Sequence, residues 1–542
     1  MDGEKLDDDA AEEQELQAEV RQENSDEWPQ ESALISSLRL RATSGTLRVG
    51  LLNMEATDFL RWQFLAGERP IIIPFERVNE AVDWNQLYPE WIDEEETYGA
   101  PICPAIPMPK ISPEVQLDVV IARVPCASSA LQEGWKQPAS LQVLLGAASL
   151  AVNAGNGSIY VLILSECRPL VNLFSCGELL EHRDQGWLYQ VNVEQLKKRT
   201  SMSVGSCQLS IPLRGQDTGA SNLHKEAYVT ILHSGADYVC GAIVTAHSIR
   251  KTGSTKDLVI LVDSSISPEQ RQALGEAGWE VRDLERIYKS NIVEGKQCEK
   301  DFSRFRLWQI TDYNKVVYVE ADVLVLRNLD HLFSMPEISA SGSTKTLFNS
   351  GVMVVEPSNC TFQLLMDEME KIISETGGDW DFFNRIFPWW HRIPKHMNYL
   401  KYFWTRSRTS EVDSSNRLFS AEPPQLYAIH YWGYKPWQCF RDYDCNWNSN
   451  NHFASDEAHA RWFKVYDELP ENLQKFCSLS TGTKAYLEHN RRVAEAAALE
   501  DKHWAITITD PRLNVCLENH CDWNALLSYW DKTVNSSSSV LA

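Results

Sequence analysis

Glu320 and Asp322 stand two positions apart, directly after the apolar run Val316-Val317-Tyr318-Val319 and directly before Val323-Leu324-Val325-Leu326. Side chains at i and i+2 of a strand point to the same side, so the two carboxylates converge where a buried strand emerges. Such a pair can hold a hard divalent cation, which keeps open positions for substrate phosphates. A solvated turn produces the same acid-x-acid triplet, and it is the setting that favours the cation. A continuous apolar strand belongs inside a parallel sheet covered on both faces, and ligands of such sheets lie at the carboxyl ends of the strands.

The elements that must hold this pair come from a chain of 542 residues, 43% hydrophobic, long enough for two or three domains with real cores. The net charge of −24 argues against nucleic acid as a partner, because no basic surplus is available to neutralise phosphates. Much of the charge is local: the first 31 residues carry Asp7-Asp8-Asp9 and Glu12-Glu13 but only Lys5 and Arg21 as basic residues. That composition describes a solvated, disordered tail, with an acidic interaction arm as the alternative. No apolar run reaches the roughly 18 residues of a membrane span, so the expectation is a soluble chain without a transmembrane segment. Ser140 to Ala154 comes nearest, and Gly146 and Asn153 make it read as a buried helix. The thirteen cysteines include no Cys-x-x-Cys, which leaves no zinc ribbon. Cys439 with Cys445, or Cys516 with Cys521, could pair in an oxidising lumen, and buried free thiols are the equal alternative. Sequons at Asn156, Asn359 and Asn535 permit a secretory location without requiring it.

Four regions follow from the pattern: an acidic tail (1–45), a smaller α/β accessory domain (46–215), an α/β catalytic region (226–450) and a mostly helical extension (455–542). In the second, strands at Leu47–Leu52, Leu117–Ala122 and Ile159–Leu164 alternate with the Ser140 to Ala154 helix. In the third, strands at Ala227–Leu232 and Leu258–Val262 flank a helix over Val239–Lys251, another helix starts near Pro268, and the acid-bearing strand follows. Repeated strand-helix-strand order predicts a doubly wound, mainly parallel sheet with right-handed crossovers. Neither a Gly-x-Gly-x-x-Gly turn after the first strand nor a Gly-Lys-Ser/Thr loop occurs, which counts against dinucleotide and Walker-type sites.

Six ordered segments of this region resemble glycogenin-like retaining glycosyltransferases: Tyr228-Val229-Thr230, Ser303 to Trp308, Glu320-Ala321-Asp322, Phe348-Asn349-Ser350-Gly351-Val352, Gly377-Gly378-Asp379 and His430 to Trp437. The segments Gly50 to Met54, Trp91 to Glu94, Trp389 to Pro394 and Arg441 to Asn446 are similar to the plant branch that includes xylan glucuronyltransferases. The resemblance spans roughly 46–530. It implies a GT-A-type domain that uses a UDP-sugar, UDP-glucuronate first, and Mn2+, with retention at the anomeric carbon and xylan as the acceptor in the plant Golgi. By the same resemblance Glu320, Asp322 and His430 hold the metal, although a lone histidine is more often structural. Lys435 matches the lysine that contacts phosphate, where an ammonium stabilises charge as UDP departs. Tyr238 matches the uracil-stacking ring, with a packed core tyrosine as the rival. Thr230, Arg304, Ser350 and Gly433 fall on donor-binding positions, and Asn349 and Asp379 on catalytic ones. The family is usually anchored by an N-terminal membrane helix, and this chain shows none.

Four positions depart from the family pattern. Glu320 replaces the usual Asp, which lengthens the arm and keeps the charge. Arg304 replaces the usual Lys, exchanging a point charge for a planar fork. Trp380 and Asp381 follow Gly-Gly-Asp where Gln and Gly are usual, and indole has no carbonyl to place beneath an oxocarbenium-like centre. Three expectations result: a working glucuronyltransferase, a UDP-glucose or UDP-galactose transferase, or a UDP-sugar-binding protein with little turnover.

Overall fold

The computed structural model describes residues 29–41, 47–54, 62, 70–87, 104–126, 136–155, 157–201, 225–233, 236–293, 296–343, 346–371, 379–401, 409–442, 456–498, 502–516, 525 and 527–528. The acidic head before residue 29, Gly377-Gly378, Trp91 to Glu94, Cys445, Cys521 and the Ser536 to Ser539 tail lie outside them.

The first sheet contains β1 (Val49–Leu52), β2 (Ile71–Ile73), β3 (Val119–Arg123), β4 (Ser158–Leu164), β5 (Leu179–Arg183) and β6 (Gly186–Asn192), in the order β2-β1-β3-β4-β6-β5. Neighbours from β2 to β4 pair in parallel, and β6 and β5 add an antiparallel ribbon. The ribbon is absent from the sequence reading because Glu181, His182 and Arg183 interrupt its apolar alternation. Asp184 turns it at φ 50°. The helix Pro138–Ala154 covers the sheet and is buried along most of its length, as its composition requires.

The second sheet is built from β7 (Glu226–Leu232), β8 (Asp257–Val262) and β9 (Glu280–Asp283), a ribbon of β10 (Tyr288–Val293) and β11 (Lys296–Asp301) standing apart, then β12 (Lys315–Val319). After β13 (Val323–Val325) come β14 (Ser339–Gly342), β15 (Phe348–Val355) and β16 (His391–Arg392). The order is β16-β14-β15-β12-β7-β8-β9. The chain moves outward from β7 through β8 to β9, then returns to lay β12 on the other side of β7. That reversal is a topological switch point, where doubly wound sheets bind ligands at their carboxyl edge. Thr230 stitches it shut from within, its buried hydroxyl donating to the Val319 carbonyl at 2.7 Å.

A small third sheet, in the order β13-β18-β17, is formed with β17 (Tyr399–Leu400) and β18 (Ala428–His430). Its register pairs Val323 with His430 and so delivers the histidine to the acidic turn. The helix Asp456–Tyr466 braces the loop beyond: Tyr431 donates its hydroxyl to the Ala458 carbonyl at 2.6 Å, and Trp437 packs 5.8 Å from Trp462.

The two large sheets share one apolar core. Asn172 donates to the Trp389 carbonyl at 2.6 Å, and Arg199 pairs with Glu178 at 3.0 Å and with Glu356 of the second layer at 3.4 Å. Disulfides join Cys126 to Cys167 within the first layer, Cys176 to Cys360 between the layers, and Cys240 to Cys477 between the second layer and the helical extension. Cys439 and Cys516 are disulfide-bonded too. None of the three pairings was legible in the spacing of the cysteines, because each joins residues brought together only by the fold.

Candidate functional site

β12 ends at Val319, and the chain turns at once: the Glu320 N–H donates to the Gly351 carbonyl at 2.9 Å and the Val323 N–H to the Glu320 carbonyl at 3.0 Å. The two carboxylates therefore sit in a turn beyond the strand, and they converge through the curl of that turn instead of strand alternation. The helix Val239–Lys251 packs close beneath. A side chain at Gly241 would strike the Ala321 carbonyl and the Trp437 ring, while Thr245 donates to the Ala321 carbonyl at 3.2 Å. The Tyr431 N–H donates to the Asp322 carbonyl at 2.9 Å and locks the histidine strand to the turn.

Ligand atoms of Glu320, Asp322 and His430 all lie within 4.8 Å of one another. His430 Nε2 is 3.1 Å from Glu320 Oε2 and 3.6 Å from Asp322 Oδ1, while its Nδ1 faces Asn398 Oδ1 at 3.2 Å. Lys435 donates its ammonium to Asp322 and, at 2.6 Å, to the Tyr431 carbonyl. Gly433, at φ 77°, turns the loop that brings the lysine back. Arg304 reaches Glu320 at 2.9 Å, Ser350 Oγ at 2.6 Å and Asp379 at 2.5 Å, tying the acidic turn to β15 and to the helix Asp379–Ile386. Asn349 Oδ1 accepts from the Gly351 N–H and from Asn398 Nδ2, both at 2.8 Å. Tyr238 is 37% exposed, enough to offer a ring face; Lys435 Nζ lies 5.7 Å from its centroid and Trp437 meets it edge-on.

The charges respond to this crowding. Burial opposes the charge on Glu320, yet Arg304, His430 and Lys435 outweigh it and hold the carboxyl down at about 2. Burial raises Asp379, with Glu320 adding to the rise and Arg304 opposing it. His430 is raised despite burial by Asp322 and Glu320, and Lys435 despite burial by Asp322. Two carboxylates and an imidazole in one buried corner suit a divalent cation of the Mg2+ to Mn2+ range. The residues fit the group: two carboxylate oxygens and an imidazole nitrogen, all within 4.8 Å of one another, are a donor set that such a cation takes.

Of the residues singled out in sequence, Glu320, Asp322, His430, Lys435, Arg304, Asp379 and Ser350 are joined by direct contacts, Asn349 is linked to His430 through Asn398, Tyr238 and Gly433 border them, and Thr230 is engaged inside the sheet. Trp380 donates its indole N–H to the Phe348 carbonyl at 2.7 Å, and Asp381 faces Arg385 at 3.4 Å. Sequence reasoning missed Asn398, which follows Lys395-His396-Met397 without any motif, and Thr245, well inside a helix that is buried along most of its length.

A family model described as glycosyl transferase family 8 matches residues 229–340, and one described as the GUX1-5 N-terminal domain matches residues 17–207. The chain is a glycosyltransferase, an enzyme whose GT-A-type α/β sheet brings together three residues that could hold a divalent cation. UDP-glucuronate:xylan alpha-glucuronosyltransferase 1 of Arabidopsis thaliana is 46% identical over 497 residues, covering 90% of this chain and 75% of the relative. UDP-glucuronate:xylan alpha-glucuronosyltransferase 2 of the same plant is 44% identical, covering 86% and 81%. Glycogenin-1 of Caenorhabditis elegans is 29% identical over 46% of this chain and 61% of its own length. The chain belongs to glycosyl transferase family 8, in the group of the UDP-glucuronate:xylan alpha-glucuronosyltransferases. No helix among the described residues is long and apolar enough to cross a membrane.

Proposed function

We propose that this enzyme transfers glucuronic acid from UDP-glucuronate to xylan, with retention at the anomeric carbon and with Mn2+ as its cation, in the Golgi lumen. The observation that carries the reading is the meeting of Glu320, Asp322, His430 and Lys435 at the switch point, in a chain 46% identical to a transferase of that name. Disulfides that join the first layer to the second and the second layer to the helical extension favour an oxidising compartment. The domain layout proposed with it is an accessory layer over 46–215, a catalytic region over 226–450 and a helical extension over 455–542.

Glu320, Asp322 and His430 would hold the cation, which supplies positive charge to the donor diphosphate as UDP leaves. Lys435, released from Asp322 toward that diphosphate, adds a fixed ammonium at the leaving group. Tyr238 offers its exposed face to uracil, and Thr230 and Gly433 shape the backbone on either side of the nucleotide. Arg304 holds Glu320, Ser350 and Asp379 in one frame, so the donor sugar meets Asn349, Ser350 and Asp379 as prearranged hydrogen-bonding groups.

The test is UDP release and product mass after mixing the protein with Mn2+, UDP-glucuronate and xylohexaose, against the same mixture with UDP-glucose. Glucuronosylated xylohexaose should form, and UDP-glucose should compete poorly, because a site with a cation for the donor carboxylate leaves it unpaired with a neutral sugar. Preference for UDP-glucose would sink the donor assignment. A second reading is favoured by Trp380: its N–H is engaged by Phe348 and its ring offers no acceptor, which suits a UDP-sugar-binding protein with little turnover. Tight UDP binding without product would support that reading.

A further inference from the structure

The amides around His430 have an order that a fixed backbone group dictates. The Gly351 N–H donates within β15 to Asn349 Oδ1 at 2.8 Å, and a backbone N–H cannot be turned around. Asn349 must therefore present oxygen at that corner, and Asn398, which meets the same oxygen at 2.8 Å, must present its NH2. The amide of Asn398 then has only its carbonyl left for His430, where Oδ1 lies 3.2 Å from Nδ1. His430 is obliged to carry a proton on Nδ1, so Nε2, the atom that faces Glu320 and Asp322, is the nitrogen that can give a lone pair to a cation once the cation displaces any proton shared with those carboxylates.

We infer that Asn398 is a positioning residue that couples the cation site to the donor-sugar pocket, setting the His430 tautomer with its carbonyl and the Asn349 amide with its NH2. Asn398 is 1% exposed, so no water can substitute easily for either contact. The Asn349 oxygen is spent on two internal donors, so this residue can offer the donor sugar only N–H groups. Two sites are thereby linked through one side chain: an amide turned the wrong way would lose a ligand for the cation and a donor for the sugar together. The inference rests on the reading of Glu320, Asp322 and His430 as a divalent-cation site.

Two substitutions separate the two halves of the side chain. Asn398→Asp keeps an acceptor for His430 Nδ1 and loses the donor to Asn349, whereas Asn398→Leu loses both. Calorimetry with Mn2+ in the presence of UDP should show Asn398→Leu weakened by at least about tenfold, as for other partners that orient a metal-bound histidine, with Asn398→Asp no weaker than wild type. UDP-glucuronate should bind the Asp variant no better than UDP does, because the pocket amide has lost its support. Equal Mn2+ affinity in folded Asn398→Leu, or equal loss in both variants, overturns the inference. Wild type that binds no Mn2+ overturns the cation-site reading itself. Should the Leu variant fail to fold, 15N-histidine NMR of wild type with Mg2+ and UDP decides: Nδ1 protonated and Nε2 bare supports the relay, and the reverse tautomer refutes it.

Discussion

Glu337 is a carboxylic acid held where a carboxylate would be costly. It is buried ahead of β14, accepting at Oε1 from the Trp308 indole at 2.6 Å and from the Glu356 N–H at 3.2 Å. Burial, helped by the neighbouring Glu356 charge, pushes its carboxyl from 4.5 up to about 8, against the pull of those two donors and of Arg199. Near neutral pH the folded protein keeps this proton and the unfolded chain has lost it. The associated stability is complete below about 4.5 and is lost as pH rises through about 8. By pH 7 the difference amounts to roughly 3 kcal/mol, an upper bound because the surroundings relax. Glu337→Gln stays neutral in both states and keeps an oxygen for the two donors. The variant should match wild type near pH 4 and exceed it increasingly toward pH 8, measured as urea midpoints by tryptophan fluorescence at half-unit pH steps. A gap that does not change with pH, or a wild type that gains on the variant as pH rises, would refute the protonated assignment.

Asp322→Ala should remove the strengthening of UDP binding by Mn2+ while leaving circular dichroism unchanged, since backbone hydrogen bonds and not this side chain close the turn; calorimetry giving wild type one UDP affinity in chelator and in Mn2+ would end the metal hypothesis. Gly351→Ala should lower Mn2+ affinity by about tenfold or more, because the new methyl meets the His430 ring on its Nδ1 side and the backbone of β15 cannot retreat; undiminished affinity would show that the ring has room to shift. The pair Trp380→Gln with Asp381→Gly should raise transfer by at least about tenfold at nearly constant UDP affinity, part of the ~3 kcal/mol that a group aimed at developing charge supplies. If wild type turns over briskly and the pair slows it, the indole belongs to a working site.

The carboxylates were legible because their signal is local: two apolar strands frame Glu320 and Asp322, and the sheet obeys the switch-point rule that those strands imply. His430 and Lys435 were legible through the ordered segments around them. The turn geometry was misjudged, since nothing in Glu320-Ala321-Asp322 distinguishes a strand end from the turn that follows it. Asn398 was invisible for a different reason. An asparagine acquires its meaning from what faces it, and its partners Asn349 and His430 are 49 and 32 residues away. The Arg304 bridge was half legible: the sequence placed a cation at the donor site, and only the fold shows it committed to Glu320, Ser350 and Asp379.

The Cys240–Cys477 bond closes a covalent ring of the chain with a sequence separation of 237. Within that ring lie β8 to β18, and with them Glu320, Asp322, His430 and Lys435, while β7 stays outside as the strand the ring is fastened beside. A protease that cuts once anywhere between the two cysteines produces two termini but no fragments. All the cation ligands then remain on one covalent body, so a nicked enzyme keeps its site at its original effective concentration, and only a reductant in addition to the cut lets the pieces part.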